Sequence, residues 1–165
     1  MYTKIHWLHL SSTNTRLGIM ARPRGGEWLA EEMEQFRKQG VQIIVSLLEP
    51  AEIRGLGLLR EEALSTAASI RYINYPIPYR GLPNSIEKTR ILIDELTEQF
   101  HNGATIVIHC RMGIGRSSII AGCVLLQLGY SRKELIGDIS KARGLSVPDT
   151  PEQSKWLLAW KPSNK

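Results

Sequence analysis

The run Ala104–His109 constrains this chain most, because it is apolar and largely β-branched on both of its alternating faces. A strand without a polar face belongs in the middle of a sheet covered on both sides, the usual setting of parallel α/β sheets. Two glycines then interrupt the chain within Cys110-Arg111-Met112-Gly113-Ile114-Gly115, before Arg116 begins an apolar helix expected from Ile119 to about Leu128. Val41–Leu48 reads as a second buried strand, and Ile70–Ile77 as a third, closed by Pro76 and Pro78. Residues 3–10 alternate well enough for a first strand, followed by a polar loop Ser11–Arg16. Helical spacing places Leu29, Met33 and Phe36 on one face of Glu27–Gln39, which Gly40 terminates. Leu56–Ser69 is expected to be helical. Asn84 to about His101 is a longer amphipathic helix, capped by Asn84 or Ser85, with Ile86, Ile91, Ile93, Leu96 and Phe100 supplying much of its apolar face. Two closing helices follow, Arg132–Ala142 and one from near Pro151 to before Pro162. Alternating strands and helices predict an α/β fold with a small, mostly parallel central sheet flanked by helices. No linker or repeat divides the chain, so residues 1–165 are expected to form a single domain.

Composition narrows the function classes. With 42% hydrophobic and 22% charged residues the chain is globular rather than disordered. No apolar run approaches the ~20 residues of a membrane span, and the first residues lack the parts of a signal peptide. Two cysteines, Cys110 and Cys123, are too few for a disulfide scaffold and predict a reducing, cytoplasmic setting. The net charge of +5 favours an anionic partner. The basic residues form no cluster interleaved with aromatics, so no nucleic-acid partner is expected. His6, His9, His101 and His109 share no ligand spacing, which nominates no metal site, and no cofactor is implied. Trp7, Trp28, Trp156, Leu157 and Trp160 read as packing residues.

Chemistry concentrates in His109-Cys110-Arg111-Met112-Gly113-Ile114-Gly115-Arg116-Ser117. A loop between a strand end and a helix N-terminus can turn successive backbone N–H groups inward as an anion nest. Gly113 and Gly115 suit the dihedrals and close approach that such a loop needs. Arg116 offers a planar fork for two phosphate oxygens. The positive field of this arrangement favours a thiolate at Cys110, and a thiolate beside a bound phosphate can attack phosphorus. An ordinary turn around a buried core cysteine gives no reason for the arginine and the two glycines at these offsets. A dinucleotide loop would need a third glycine where Ser118 stands. Cys123, about seven residues into the helix, lies roughly 10 Å along its axis and reads as core.

This segment resembles the signature of the protein tyrosine and dual-specificity phosphatase superfamily. The resemblance extends over residues 6–48, Tyr75–Pro78 and Pro148–Gln153, and is nearest to bacterial relatives of the cyclin-dependent-kinase-associated phosphatase type. It implies a cysteine-based phosphatase fold and hydrolysis of phosphotyrosine, with phosphoserine or phosphothreonine as further substrates, through a phosphocysteine intermediate. Cys110 would be the nucleophile, with Arg116 and the loop residues Arg111, Met112, Gly113, Ile114 and Gly115 holding the phosphoryl group. Ser117 would bond the leaving sulfur, Gln153 would position the hydrolytic water, and His109 would support the loop from behind.

One departure stands out. Relatives carry an acid aspartate in the loop Pro-Ile-Pro-Asp, whereas this chain has Pro76-Ile77-Pro78-Tyr79. A phenol gives up a proton less readily than a carboxylic acid. Glu52, expected in the loop after the Val41–Leu48 strand, is the first candidate substitute, with Glu49 and Asp149 behind it. Arg80 is a candidate for facing the substrate. Met112 and Ile114 stand where phosphoinositide phosphatases often have lysines, which favours a phosphorylated protein as substrate. A phosphate-binding module without catalysis, and a phosphatase for phosphoinositide or RNA 5′ phosphates, are the competing readings. Oligomeric state is open from sequence.

Overall fold

A computed structural model describes residues 1–8 and 16–163. The expected strand over residues 3–10 is β1, His6–Leu8, with residues 9 and 10 and most of the expected Ser11–Arg16 loop outside the described residues. A strand absent from the sequence reading follows, β2, Leu17–Met20. Next come α1, Leu29–Lys38, entered through one 3-10 turn, and β3, Ile43–Ser46. A helix forms where a loop was expected, α2, Pro50–Gly55, and the helix expected over Leu56–Ser69 is confined to α3, Glu61–Ala67. The break between the two has a steric cause. Gly57 has φ +72, and a Cβ there would lie 2.9 Å from the Gly26 nitrogen. The remaining elements are β4, Arg71–Asn74; α4, Ile86–His101; β5, Ile106–His109; α5, Arg116–Gln127; α6, Arg132–Arg143; and α7, Pro151–Ala159.

The sheet order is β1-β2-β5-β3-β4, with β1 antiparallel to β2 and every other pairing parallel. Side chains alternate between two cores, as the period of two requires. Leu17, Ile19, Ile43, Val45, Ile106 and Ile108 face the layer of α4 to α7. Met20, Ile44 and Val107 face Met33 and Phe36 of α1, with Leu58 and Ile70. β5 is therefore the doubly covered central strand that its apolar run predicts. Its successor α5 is buried nearly all round and carries Cys123 fully inside, where burial pushes the thiol well up. Gly122 lets Leu157 of α7 approach, since an added Cβ would stand 2.7 Å from that side chain. Leu157 and Trp160 join the core as expected. Trp28 does not, because it is 48% exposed and lies under the Arg24 guanidinium. No described helix is long and apolar enough to cross a membrane.

Candidate active site

The carboxyl end of β5 and the N-terminus of α5 meet around Cys110–Gly115. Cys110 is 2% exposed, and its sulfur lies 3.3 Å from the Ser117 hydroxyl in the first turn of α5. The loop carbonyls are taken from outside. Cys110 O receives His109 Nδ1 at 3.2 Å, and Arg111 O receives the Arg22 N–H at 3.2 Å. Arg143 of α6 donates to Met112 O at 3.1 Å and to Gly113 O at 2.8 Å. In a planar trans peptide the carbonyl and the following N–H point oppositely. The N–H groups of Arg111, Met112, Gly113 and Ile114 thus turn away from these partners, into the hollow of the loop, as an anion nest does. Gly113 has φ +69, and a Cβ there would come within 2.5 Å of Met20 at the end of β2. The loop is wedged against the sheet at this point.

Arg116 is 2% exposed and its guanidinium is braced from behind through Nη1 and Nη2. It donates to both oxygens of Glu52, at 2.8 and 2.9 Å, and to the Ile77 carbonyl at 3.0 Å. Glu52 lies in α2 rather than in a loop, where it also accepts the Glu49 N–H in a capping box with Pro50 at the first helical position. Burial works to raise the Glu52 carboxyl, but hydrogen bonds from Arg116 and the Glu49 N–H, with the charges of Arg116 and Arg111, carry it below the ordinary carboxylate value. Burial likewise works against the Arg116 charge, and Glu52 with Cys110 and Glu49 raises it above the ordinary arginine value. A carboxyl held ionised by two bonds to a guanidinium has no proton to donate. The expectation of Glu52 as a substitute acid is corrected on this ground.

His109 is fully buried and its Nε2 lies 2.7 Å from Oε2 of Glu61 in α3, itself fully buried. Both ring nitrogens lie against oxygens, Nδ1 against the Cys110 carbonyl and Nε2 against the Glu61 carboxyl, which fixes the ring in place. The other Glu61 oxygen has no hydrogen-bond partner among the described residues. Sequence reading missed Glu61 and Arg143, since neither has a local signature.

The cleft above the loop is lined by the loop itself and by Tyr79, Arg80, Asp149 and Gln153. A turn with the Gly81 N–H on the Pro78 carbonyl at 2.8 Å, and Arg80 at φ +55, presents Tyr79 at the mouth. Tyr79 is 52% exposed, and its ring lies 5.3 Å from the Arg116 guanidinium and 5.4 Å from that of Arg111. Arg80 pairs with Asp149 at 2.9 Å. Gln153, fully buried, accepts from the Asp149 and Thr150 N–H groups at 3.0 and 3.2 Å and donates to Gly81 O at 3.0 Å. A Cβ on Gly115 would meet Gln153 at 2.6 Å. A larger cavity of about 480 Å³, beside Trp7, Leu8, Tyr130 and Ile139, includes none of these residues.

A thiol under a cradle of amides, closed by a guanidinium at the head of the next helix, is how cysteine-based phosphatases are built, and the surrounding sheet order serves that loop. Known proteins agree. Residues 18–130 match the family described as "Polymorphic toxin system, DSP-PTPase phosphatase". Human cyclin-dependent kinase inhibitor 3 is 29% identical over 94% of this chain and 78% of its own length, and the rat protein 27% over 93% and 76%. A crystal structure of kinase associated phosphatase with its catalytic cysteine replaced by serine superposes with a TM-score of 0.85 at 26% identity, covering 95% of this chain and 93% of that one. The chain belongs to the DSP-PTPase phosphatase family of polymorphic toxin systems, and it is a cysteine-dependent tyrosine and dual-specificity phosphatase.

Proposed function

We propose that Cys110 attacks the phosphorus of a phosphorylated protein, while Arg116 and the loop amides of residues 111–116 hold the equatorial phosphoryl oxygens. The carrying observation is the Cys110 sulfur 3.3 Å from Ser117 Oγ, at the floor of a cleft that Arg116 also lines. The leaving oxygen departs opposite the sulfur and a phosphocysteine forms. In the second step water replaces the sulfur, and the Ser117 hydroxyl donates to the departing thiolate. Glu52 is a positioning residue that aims the Arg116 fork, and His109 with Glu61 holds the Cys110 carbonyl outward.

The rim supports aryl phosphate, because the exposed Tyr79 ring and Met112 offer apolar surface at the mouth. Arg111 favours acidic residues beside the phosphate, whereas Arg80 is taken up by Asp149. Two free thiols suit a reducing compartment such as the cytoplasm. Cys110→Ser should abolish p-nitrophenyl phosphate turnover while the protein stays folded by circular dichroism. Retained turnover in that variant overturns the assignment. A panel of phosphotyrosine and phosphoserine peptides, a phosphoinositide and a 5′-phosphorylated RNA reads the substrate class, with phosphotyrosine peptides expected to lead.

A further inference from the structure

We infer that Asp149 is the general base of the second step, the hydrolysis of phosphocysteine. The inference rests on the phosphocysteine reading above and assigns a catalytic residue that the acid loop no longer supplies. Three observations converge. Asp149 is the one carboxylate lining the cleft that holds Cys110 and Arg116 among the described residues. Glu52 is spent on Arg116, both of its oxygens being engaged. Among the described residues, Oδ2 alone of the two Asp149 oxygens has a hydrogen-bond partner, Arg80 Nε at 2.9 Å, so Oδ1 is left to accept from water.

Its placement matches the second step rather than the first. The Asp149 N–H is held by Gln153 Oε1 at 3.0 Å, so the backbone of the base is tied to the glutamine that orients water by family resemblance. That glutamine is in turn pressed against Gly115 of the loop. Oδ1 stands outside the ion pair with Arg80, so among the described residues its lone pairs are left open to a water proton. The step balances as written. A water O–H gives its proton to Asp149 Oδ1 and its oxygen bonds to phosphorus. The phosphorus–sulfur bond breaks, its electron pair returns to Cys110 as thiolate, and inorganic phosphate leaves. The Asp149 proton then passes to solvent.

The test separates the two steps by pre-steady-state kinetics on p-nitrophenyl phosphate, whose good leaving group makes the first step fast. Asp149→Asn should release a burst of p-nitrophenol near one equivalent per enzyme. Steady-state turnover should then be slowed ~10²-fold or more, within the range of a lost general base. Acid quenching should trap the phosphoryl adduct on Cys110, visible by intact mass. Arg80→Ala removes the same exposed ion pair but keeps the carboxylate, so it should accumulate no adduct. That contrast excludes a structural role of the pair. The fold does not depend on the substituted side chain, since Gln153 is bonded through the Asp149 backbone. Should Asp149→Asn nevertheless fail to fold, Asp149→Ser is read in the same assay. Unchanged turnover, or a slowing confined to poor leaving groups without trapped adduct, overturns the proposal. Adduct in Arg80→Ala equal to that in Asp149→Asn overturns it too. A Cys110→Ser variant that still turns over defeats the phosphatase reading instead.

Discussion

The underside and the rim of the phosphate loop are built from opposite materials. Beneath it, Glu52 holds Arg116 and Glu61 holds His109, with side chains at most 10% exposed. At the rim, Arg80 and Asp149 pair with 56% and 34% of their side chains in solvent, and Tyr79 is half exposed. Charges taken out of water must be matched, so every group below has a prescribed partner. Pairs at the surface contribute little and can be exchanged without loss of the fold. The contrast fits what the family resemblance implies at the rim, where Tyr79 stands at the position of the acid aspartate.

Glu52→Gln should break the contrast hardest. It leaves the buried Arg116 charge without its counter-ion, which costs about 3 kcal/mol of stability in urea unfolding at neutral pH. Turnover should fall with it, because the fork loses its aim. The pH dependence has a definite sign. A carboxyl whose folded-state value is lowered adds stability above its unfolded value of about 4.3, and that contribution is lost as pH falls through the folded value. The gap between wild type and Glu52→Gln should therefore close in unfolding measured on the acid side.

Glu61→Leu comes next. It strands His109 Nε2 in a dry core, at a cost of about 2 kcal/mol. Glu61→Gln should recover most of this, because its amide can donate to Nε2 while Nδ1 keeps its bond to the Cys110 carbonyl. Equal losses in the two variants would mean that the pair does nothing but fill space.

Rim substitutions should act on rates instead. Tyr79→Asp returns a carboxylic acid to the position where relatives have one. It should raise turnover of phenyl phosphate about tenfold, or ~1.4 kcal/mol in the barrier, and leave p-nitrophenyl phosphate nearly unchanged. A steep leaving-group slope that this variant fails to flatten would show that the missing part is not at position 79. Arg80→Ala should be the mildest, within ~0.5 kcal/mol in urea unfolding, since its ion pair is exposed.

The same contrast governs what could be read from the sequence. Cys110, Gly113, Gly115, Arg116 and Ser117 were legible because the loop is local, with its residue types dictated within nine positions. β5, β3 and the extent of α4 were legible from apolar period, but Ile86 and Ile91, read into the apolar face of α4, are 52% and 63% exposed, and Leu92 is buried in their place. β2 was not legible, since in Leu17-Gly18-Ile19-Met20 a glycine stands in place of an alternating side chain. The glycine is required there, because a Cβ would stand 2.6 Å from Ile5 on the neighbouring chain segment. The partner network was illegible for a different reason. Glu61 lies 48 positions before His109, and Arg143 lies 30 after Gly113. Nothing local marks a charged residue as destined for burial until the sheet order folds it under the loop. Glu52 was singled out for the right neighbourhood and the wrong task.

Cys123, sealed inside α5 with its thiol pushed up, has a consequence for how the molecule ages. Oxidation of a catalytic thiol by peroxide is reversible only while the sulfenic acid finds a second thiol or a backbone nitrogen to condense with. This chain's other thiol is fully buried on the helix that leads away from the loop, so Cys110 has no resolving thiol of its own. Apart from capture by a backbone nitrogen, rescue must come from outside, through small thiols entering the same cleft that admits substrate. Bound phosphate would then act as a shield, and an idle enzyme would be inactivated faster than a saturated one. Its working life in an oxidising cell is set by how often that cleft stands open.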